Sequence, residues 1–291
     1  MAARQSHSLF YYMLFLPALL VVGYLTVYPI GRILTDSFFE YDYIAGIREF
    51  VGVSNYVRIG SDNGFRAAVR NTTVFAATAT ALEVAVGFLL ALLFYGRFRG
   101  KRVATIMTVF PMMFSTMVVT AVWRTLYHFE IGFFNATLRG LGFPAVPWLI
   151  DARIALFSVV LTDVWQWTPF VFIILHAALN TVPRELFEAA AIDGAGTFAL
   201  VRRVVVPVLA PQLLLVAMLR TIDTFRLFSK VYALTGGGPG NATETVSYFI
   251  YREAFSYFNL GRAATGSVFA LVVVGVFAFF YIPRLLQEDT R

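Results

Sequence analysis

The sequence predicts an all-α polytopic membrane protein. It has six transmembrane helices in one domain over residues 1–291 and a cytoplasmic helix-turn-helix loop between the fourth and fifth. Three observations carry this. Charged residues make up 14% of the chain and hydrophobic ones 59%, whereas a soluble domain is roughly a quarter charged. Several runs reach the roughly 20 apolar residues that a membrane helix needs. The turn Gly96-Arg-Phe-Arg-Gly-Lys-Arg-Val103 carries four Lys/Arg and no acid, which marks a cytoplasmic connection.

Taken in order, the spans fall at residues 9–30, 71–95, 103–123, 154–179, 209–231 and 263–283. A signal peptide is the rival reading of the first. Its apolar run is too long for that, only Arg4 precedes it, and no small-x-small cleavage site follows. The fourth span contains Pro169, which is expected to kink it and free a backbone carbonyl. No period of 20–50 residues is visible, and no loop is large enough to be a soluble domain. With the 96–102 turn inside, six spans place both termini and residues 183–207 in the cytoplasm. Lys and Arg counts on the two sides tie, so the orientation rests on that acid-free turn and on the greater length of the outside loops. The net charge of +6 is read as this distribution across a lipid bilayer, not as a nucleic-acid footprint.

Several chemistries are excluded. There is no cysteine, hence no disulfide, thiol nucleophile or thiolate metal site. His7, His128 and His176 match no metal spacing, and no Ser/His/Asp arrangement stands out, so the expectation is no catalytic residue and no metal. Gly96 and Gly100-Lys101 approach a phosphate-binding loop, but three residues separate the glycines instead of four, and Arg102 stands where Ser or Thr belongs. The glycine-rich 235–245 stretch lacks the lysine and the following helix, leaving a flexible connection as its plain reading. Asn71, Asn135 and Asn241 match the glycosylation pattern, which is frequent by chance.

Ionisable residues within the spans are costly in lipid and face a partner or a wet cavity. Those singled out are Glu83, Arg124, Asp163, Arg220, Asp223 and Arg226. Arg220, Asp223 and Arg226 share one helical stripe, as do Asp163 and Gln166. Two roles fit: ion pairs that hold helices together, or the lining of a polar pathway. Trp165 and Trp167 lie roughly 200° apart around a helix and cannot face one cavity. For the pathway the residues chosen are Glu83, Asp163, Trp165, Gln166, Arg220 and Asp223.

Residues 183–207, PRELFEAAAIDGAGTFALVRRVVVP, read as two short helices about a glycine turn. Pro183 suits a first turn. Leu186, Phe187, Ala190 and Ala191 form an apolar face opposite Arg184, Glu185 and Glu188. Gly194 and Gly196 suit a left-handed cap, Thr197 can cap a second helix, and Pro207 kinks or ends it. Glu188-Ala189-Ala190, Asp193-Gly194-Ala195 and Pro207, with Val204 and Val206 where Ile and Leu are usual, resemble the EAA loop of permease subunits in bacterial binding-protein-dependent ABC importers. Leu234–Gly240, Ala242–Thr245 and Tyr251–Phe255, with Asn55-Tyr56 and Asn71–Thr73, are similar to the carbohydrate-importer permeases related to the maltose and glycerol-3-phosphate systems.

That resemblance implies a mechanism and a set of partners. These are a second permease subunit in a heterodimer, two ATP-binding cassette subunits, a periplasmic or lipid-anchored solute-binding protein, and a small-molecule carbohydrate. ATP and Mg would be bound by the ATPase subunits, with no cofactor in this chain. Glu188, Ala189, Ala190, Asp193, Gly194, Ala195 and Pro207 would form the loop that docks on an ATPase. The chain would be a multi-pass protein of the bacterial inner membrane. An ion-coupled secondary transporter or channel is the alternative; it would need an ion-coupling site and often shows inverted repeats, and neither is visible.

Overall fold

The computed structural model describes the backbone of residues 3–288 and the side chains of residues 14–279. Along the chain run α1 (Ala3–Asp36), a hairpin of β1 (Phe39–Asp42) and β2 (Ile47–Phe50), α2 (Ser54–Ser61), α3 (Asn63–Leu93), α4 (Lys101–Val109), α5 (Thr116–Leu126), α6 (Phe133–Gly140) and α7 (Ala155–Asn180). Then come α8 (Arg184–Ile192), α9 (Thr197–Leu200), a π turn at Val201–Val205, α10 (Val206–Val208), α11 (Ala210–Phe225), α12 (Ser229–Leu234), α13 (Val246–Tyr251) and α14 (Leu260–Glu288). Among the described residues, Leu14–Asp36, Asn63–Leu93, Ala155–Thr181 and Leu260–Phe279 are long and apolar enough to cross a membrane singly. Two bent pairs supply up to two more spans, Lys101–Met113 with Thr116–Leu126 at 99°, and Thr197–Val208 with Ala210–Phe225 at 70°.

Those bends correct two expectations. The 103–123 stretch is not one continuous helix. Pro111 has no N–H to donate, and Phe114 (φ −86°, ψ 146°) and Ser115 (φ −57°, ψ 137°) are extended between the halves. The 209–231 stretch likewise ends early, at Phe225, and resumes as α12. Near that end the hydroxyls of Thr221 and Thr224 bond back to Ala217 O and Arg220 O, a pattern that competes with the ladder and bends helices. The second span begins at Asn63, earlier than expected, because Phe65 and Ala68 are buried despite Arg66 between them. The hairpin also qualifies the all-α expectation: Phe39 pairs with Phe50 and Asp42 with Ile47 across a short two-stranded ladder.

By packing, the chain forms two compact units. The first comprises residues 1–62 and 250–271. Here Asn55 Nδ2 donates to Ser37 O (3.1 Å) and Phe39 O (2.8 Å), fixing the start of the hairpin. Tyr43 N donates to Phe258 O, and Arg262 pairs with Asp62 (2.7 Å) and Glu253 (3.2 Å).

The second unit, residues 63–249 and 272–291, holds most of the polar machinery. Its helices α3 and α7 pack along each other, with α11 against α3 and α12 against α5. A Cβ on Gly87 would lie 2.7 Å from Val171 Cγ1, so only hydrogen lets α3 approach α7 this closely. In a bilayer lipid is as apolar as leucine, so close backbone packing of this kind drives association. One cluster joins Phe75, Trp123, Tyr127, Val159 and Val231; another joins Ala91, Phe94, Val171, Phe172 and Val216. The 235–245 stretch is no loose connection. Asn71 Nδ2 donates to Asn241 O and Glu244 O, Val246 N donates to Thr72 Oγ1, and Thr243, Glu244 and Thr245 are fully buried. Asn71 and Asn135, two of the three glycosylation matches, are buried side chains that hold backbone in place.

Candidate functional site: an ion cluster within the spans and an exposed helical loop

Two regions of the second unit carry groups with chemical potential. The first is built around Arg220 of α11. Its Nε donates to Glu83 Oε2 (2.6 Å) and its Nη2 to Glu83 Oε1 (3.0 Å), a two-pronged fork that fits the carboxylate geometry. The same Nη2 reaches Asp163 Oδ2 at 3.0 Å, and Nη1 reaches Asp223 Oδ2 at 2.5 Å. Lys230 Nζ, on α12, donates to the other Asp163 oxygen. Trp167 lies with its ring 5.1 Å from the Arg220 guanidinium carbon. Four helices, α3, α7, α11 and α12, are thus tied by one set of charges. Helical spacing does this locally: Arg220 and Asp223 are three apart and share a face, while the break after Phe225 lets α12 turn Lys230 back onto Asp163.

Arg220, Glu83, Asp163 and Lys230 are all buried, whereas the Asp223 side chain is 53% exposed. Three acids against two bases leave a formal charge of −1, and Arg226, exposed and without an ion-pair partner among the described residues, brings the set to zero. Asp223, Arg226, Trp167 and Arg220 line two adjoining clefts of about 260 and 150 Å³. Removing one member of such a buried set leaves an uncompensated charge, which costs roughly 3–5 kcal/mol.

Of the pathway residues expected from sequence, Glu83, Asp163, Arg220 and Asp223 meet in this cluster. Trp165 does not; it is 42% exposed and packs edge-on against Trp123, at 5.6 Å. Trp167, the other tryptophan of the pair, takes the place beside Arg220. Gln166 is also elsewhere, buried with its Nε2 donating to Phe114 O (3.1 Å) at the bend of the third span. Arg124 stands apart, its Nη1 at 3.4 Å from Ala233 O. Lys230 and Trp167 are the members that sequence reading missed. Lys230 lies inside the expected 209–231 span, and its charge was the available signal.

The second region is residues 183–207. Pro183 (φ −56°, ψ 134°) caps α8 from outside its first turn. Gly194 is left-handed (φ +72°), with Gly194 N donating to Ala191 O and Ala195 N to Ala190 O. These two bonds are the Schellman closure that glycine permits. Gly196 is extended and caps α9, so the left-handed cap belongs to Gly194 alone and Thr197 is the first helical residue, not the cap. Pro207 and Pro211 cannot donate to the ladder, and the chain answers with a π turn and the bend at Leu209 (φ −90°, ψ 2°). The expected apolar face is divided. Phe187 stacks on Tyr95 at 5.3 Å and Ala190 is buried, but Leu186 and Ala191 point outward. With Ile192 at 86% and Phe198 at 78% exposed, the loop presents large apolar side chains. Val182, Val205 and Leu209 anchor it in a core with Leu179 at its base.

Residues 83–288 match the family described as the inner membrane component of binding-protein-dependent transport systems. The chain is 35% identical over 274 residues to a trehalose/maltose transport system permease protein of Thermococcus litoralis, covering 94% of this chain and 92% of that one. It is 32% identical over 282 residues to an sn-glycerol-3-phosphate transport system permease protein of Yersinia pestis, covering 95% of each. Its fold matches a chain of a bacterial alginate ABC transporter solved with an alginate pentasaccharide-bound periplasmic protein. That match has a TM-score of 0.82 at 19% identity, over 97% of this chain and 95% of that one.

Proposed function

This chain belongs to the inner-membrane components of binding-protein-dependent transport systems, and from that premise we propose that it is a permease subunit of an ATP-driven importer for a carbohydrate, polyol or glycoside. Both termini and residues 183–207 face the cytoplasm, as the acid-free 96–102 turn argues. The subunit pairs with a second permease chain, two ATPase subunits and a solute-binding protein on the outer side. It holds no nucleotide and performs no chemistry itself; ATP and Mg reside in the ATPase subunits.

The observation that carries this reading is the form of residues 183–207. They make a short, stiff element anchored in the core between α7 and α11, with Leu186, Ile192 and Phe198 exposed and uncovered among the described residues. Docked in a groove of an ATPase subunit, it would pass rigid-body motion to two spans at once. Glu188, exposed and without an ion-pair partner among the described residues, supplies a charge-assisted hydrogen bond at that contact. Ala189, Ala190, Asp193, Gly194, Ala195 and Pro207 set its shape.

For the cargo, the relatives named for trehalose/maltose and for sn-glycerol-3-phosphate favour a hydroxyl-rich small molecule. The cleft beside Trp167, Asp223 and Arg226 offers a ring face, an acceptor and a donor for one. Glu83, Asp163 and Arg220 hold that surface from beneath, while Trp165 packs on Trp123 and Gln166 holds the bend of the third span. The test is to purify the assembled complex with its binding protein and measure ATPase stimulation across sugars, polyols and glycerol phosphates. Stimulation by at least one is expected; silence across the panel, or uptake that follows an ion gradient instead of ATP, would overturn the reading.

A further inference from the structure

A third cleft, of about 660 Å³, lies beside α8 and away from the ion cluster. Its volume is within the roughly 300–1,000 Å³ of small-molecule sites. Arg97, Lys101 and Arg184 line it, with Glu188 as the one acid. The stacked rings of Tyr95 and Phe187 line it too. None of these four charged groups has an ion-pair partner among the described residues, although Lys101 Nζ is held by Gly96 O at 3.2 Å. The cleft therefore carries a net formal charge of +2, from three bases and one acid. It sits where three membrane helices begin or end, α3 at Leu93, α4 at Lys101 and α7 at Asn180. Ends of spanning helices lie at the depth of lipid headgroups.

A solvated basic turn obeying the charge rule for loops would scatter its cations. Arg99, Arg102, Arg202 and Arg203 do so and stay out of the cleft, whereas the other three converge on an aromatic-lined cavity. Guanidinium forks suit phosphate oxygens, and basic pockets between membrane helices take anionic headgroups. We propose that this cleft is a binding site for a phosphate group, supplied by an anionic phospholipid of the adjacent leaflet or by a free phosphate compound. Because Arg184 and Glu188 belong to α8, an occupied site braces that helix against the 96–101 turn. The bracing role rests on the loop function proposed above; the binding does not.

The test uses the assembled complex and measures binding, which is independent of ATP-driven uptake. Retention of phosphatidylglycerol is read by native mass spectrometry after reconstitution in vesicles of phosphatidylcholine with phosphatidylglycerol. Radiolabelled inorganic phosphate is dialysed against complex in phosphatidylcholine alone. Each of Arg97→Gln, Lys101→Gln and Arg184→Gln is expected to weaken binding about fivefold and the triple variant about a hundredfold, while Arg202→Gln/Arg203→Gln leaves it unchanged. Glu188→Gln, read in the full chain without its ATPase subunits so that Glu188 has no docking partner, removes the opposing charge and should tighten binding about fivefold, a gain that misfolding cannot produce. Cleft-dependent retention of the lipid identifies a headgroup site, and cleft-dependent binding of inorganic phosphate without it identifies a soluble ligand. Neither probe responding to the triple variant, or Glu188→Gln failing to gain, overturns the proposal.

Discussion

The ion cluster and the 183–207 loop treat their polar and apolar groups in opposite ways. Around Arg220 the buried charges of Glu83, Asp163 and Lys230 are answered inside the chain, with the half-exposed Asp223 closing the set at its edge. In the loop Ile192 and Phe198 are exposed and Glu188 is unanswered among the described residues. A closed set of interactions makes four helices one body. An open set makes a surface whose partners lie in another chain. The same molecule thus separates what must stay rigid from what must be recognised.

Breaking the closed region should cost most. Glu83→Ala removes both prongs of the Arg220 fork and leaves a buried guanidinium short of a partner. It is expected to destabilise the subunit by about 3–5 kcal/mol, seen as a lower melting temperature in detergent. Gln166→Leu keeps the volume near that of the native side chain but strips Phe114 O of its donor at the bend. A loss of about 1–3 kcal/mol is expected in the same assay. An unchanged melt for either variant would show that the charges and the bend are held by something else.

In the loop the effects on folding shrink. Gly194→Ala forces a Cβ into a left-handed position, at a cost of about 1–2 kcal/mol confined to the α8–α9 turn. Local proteolysis or hydrogen exchange there should rise while the global melt barely moves. Glu188→Gln should lie within about 0.5 kcal/mol of wild type, as exposed substitutions do, and yet lower the ATPase activity stimulated by the binding protein. A variant stable but uncoupled sharpens the contrast; one that is both stable and coupled breaks it.

What the sequence made legible follows from physics that is local. The Gly194 turn was readable because one backbone geometry demands a residue without Cβ. The spans were readable because lipid demands length and apolarity. The bends were not. Pro111 was visible, but not that Phe114 and Ser115 would be extended there, with Phe114 O taking its donor from Gln166, roughly fifty residues away. The choice between Trp165 and Trp167 was a choice of helix face, and each face presents a ring, one packed on Trp123 and the other under the Arg220 guanidinium. Lys230 escapes a sequence reading for a related reason: at the end of a straight span it would have no partner, and only the break after Phe225 brings it to Asp163. The small hairpin was hidden because its residues alternate too briefly to mark a strand pair.

The most direct measurement is docking itself. Purified ATPase subunits are titrated against the chain in lipid nanodiscs, comparing wild type with Ile192→Glu and Glu188→Lys, each checked for an unchanged melt. The account predicts that both variants fold as wild type and lose ATPase binding by about tenfold or more, since buried contacts at an interface centre are worth upwards of 1.4 kcal/mol. Full ATPase binding by both folded variants would contradict the claim that residues 183–207 are the coupling surface.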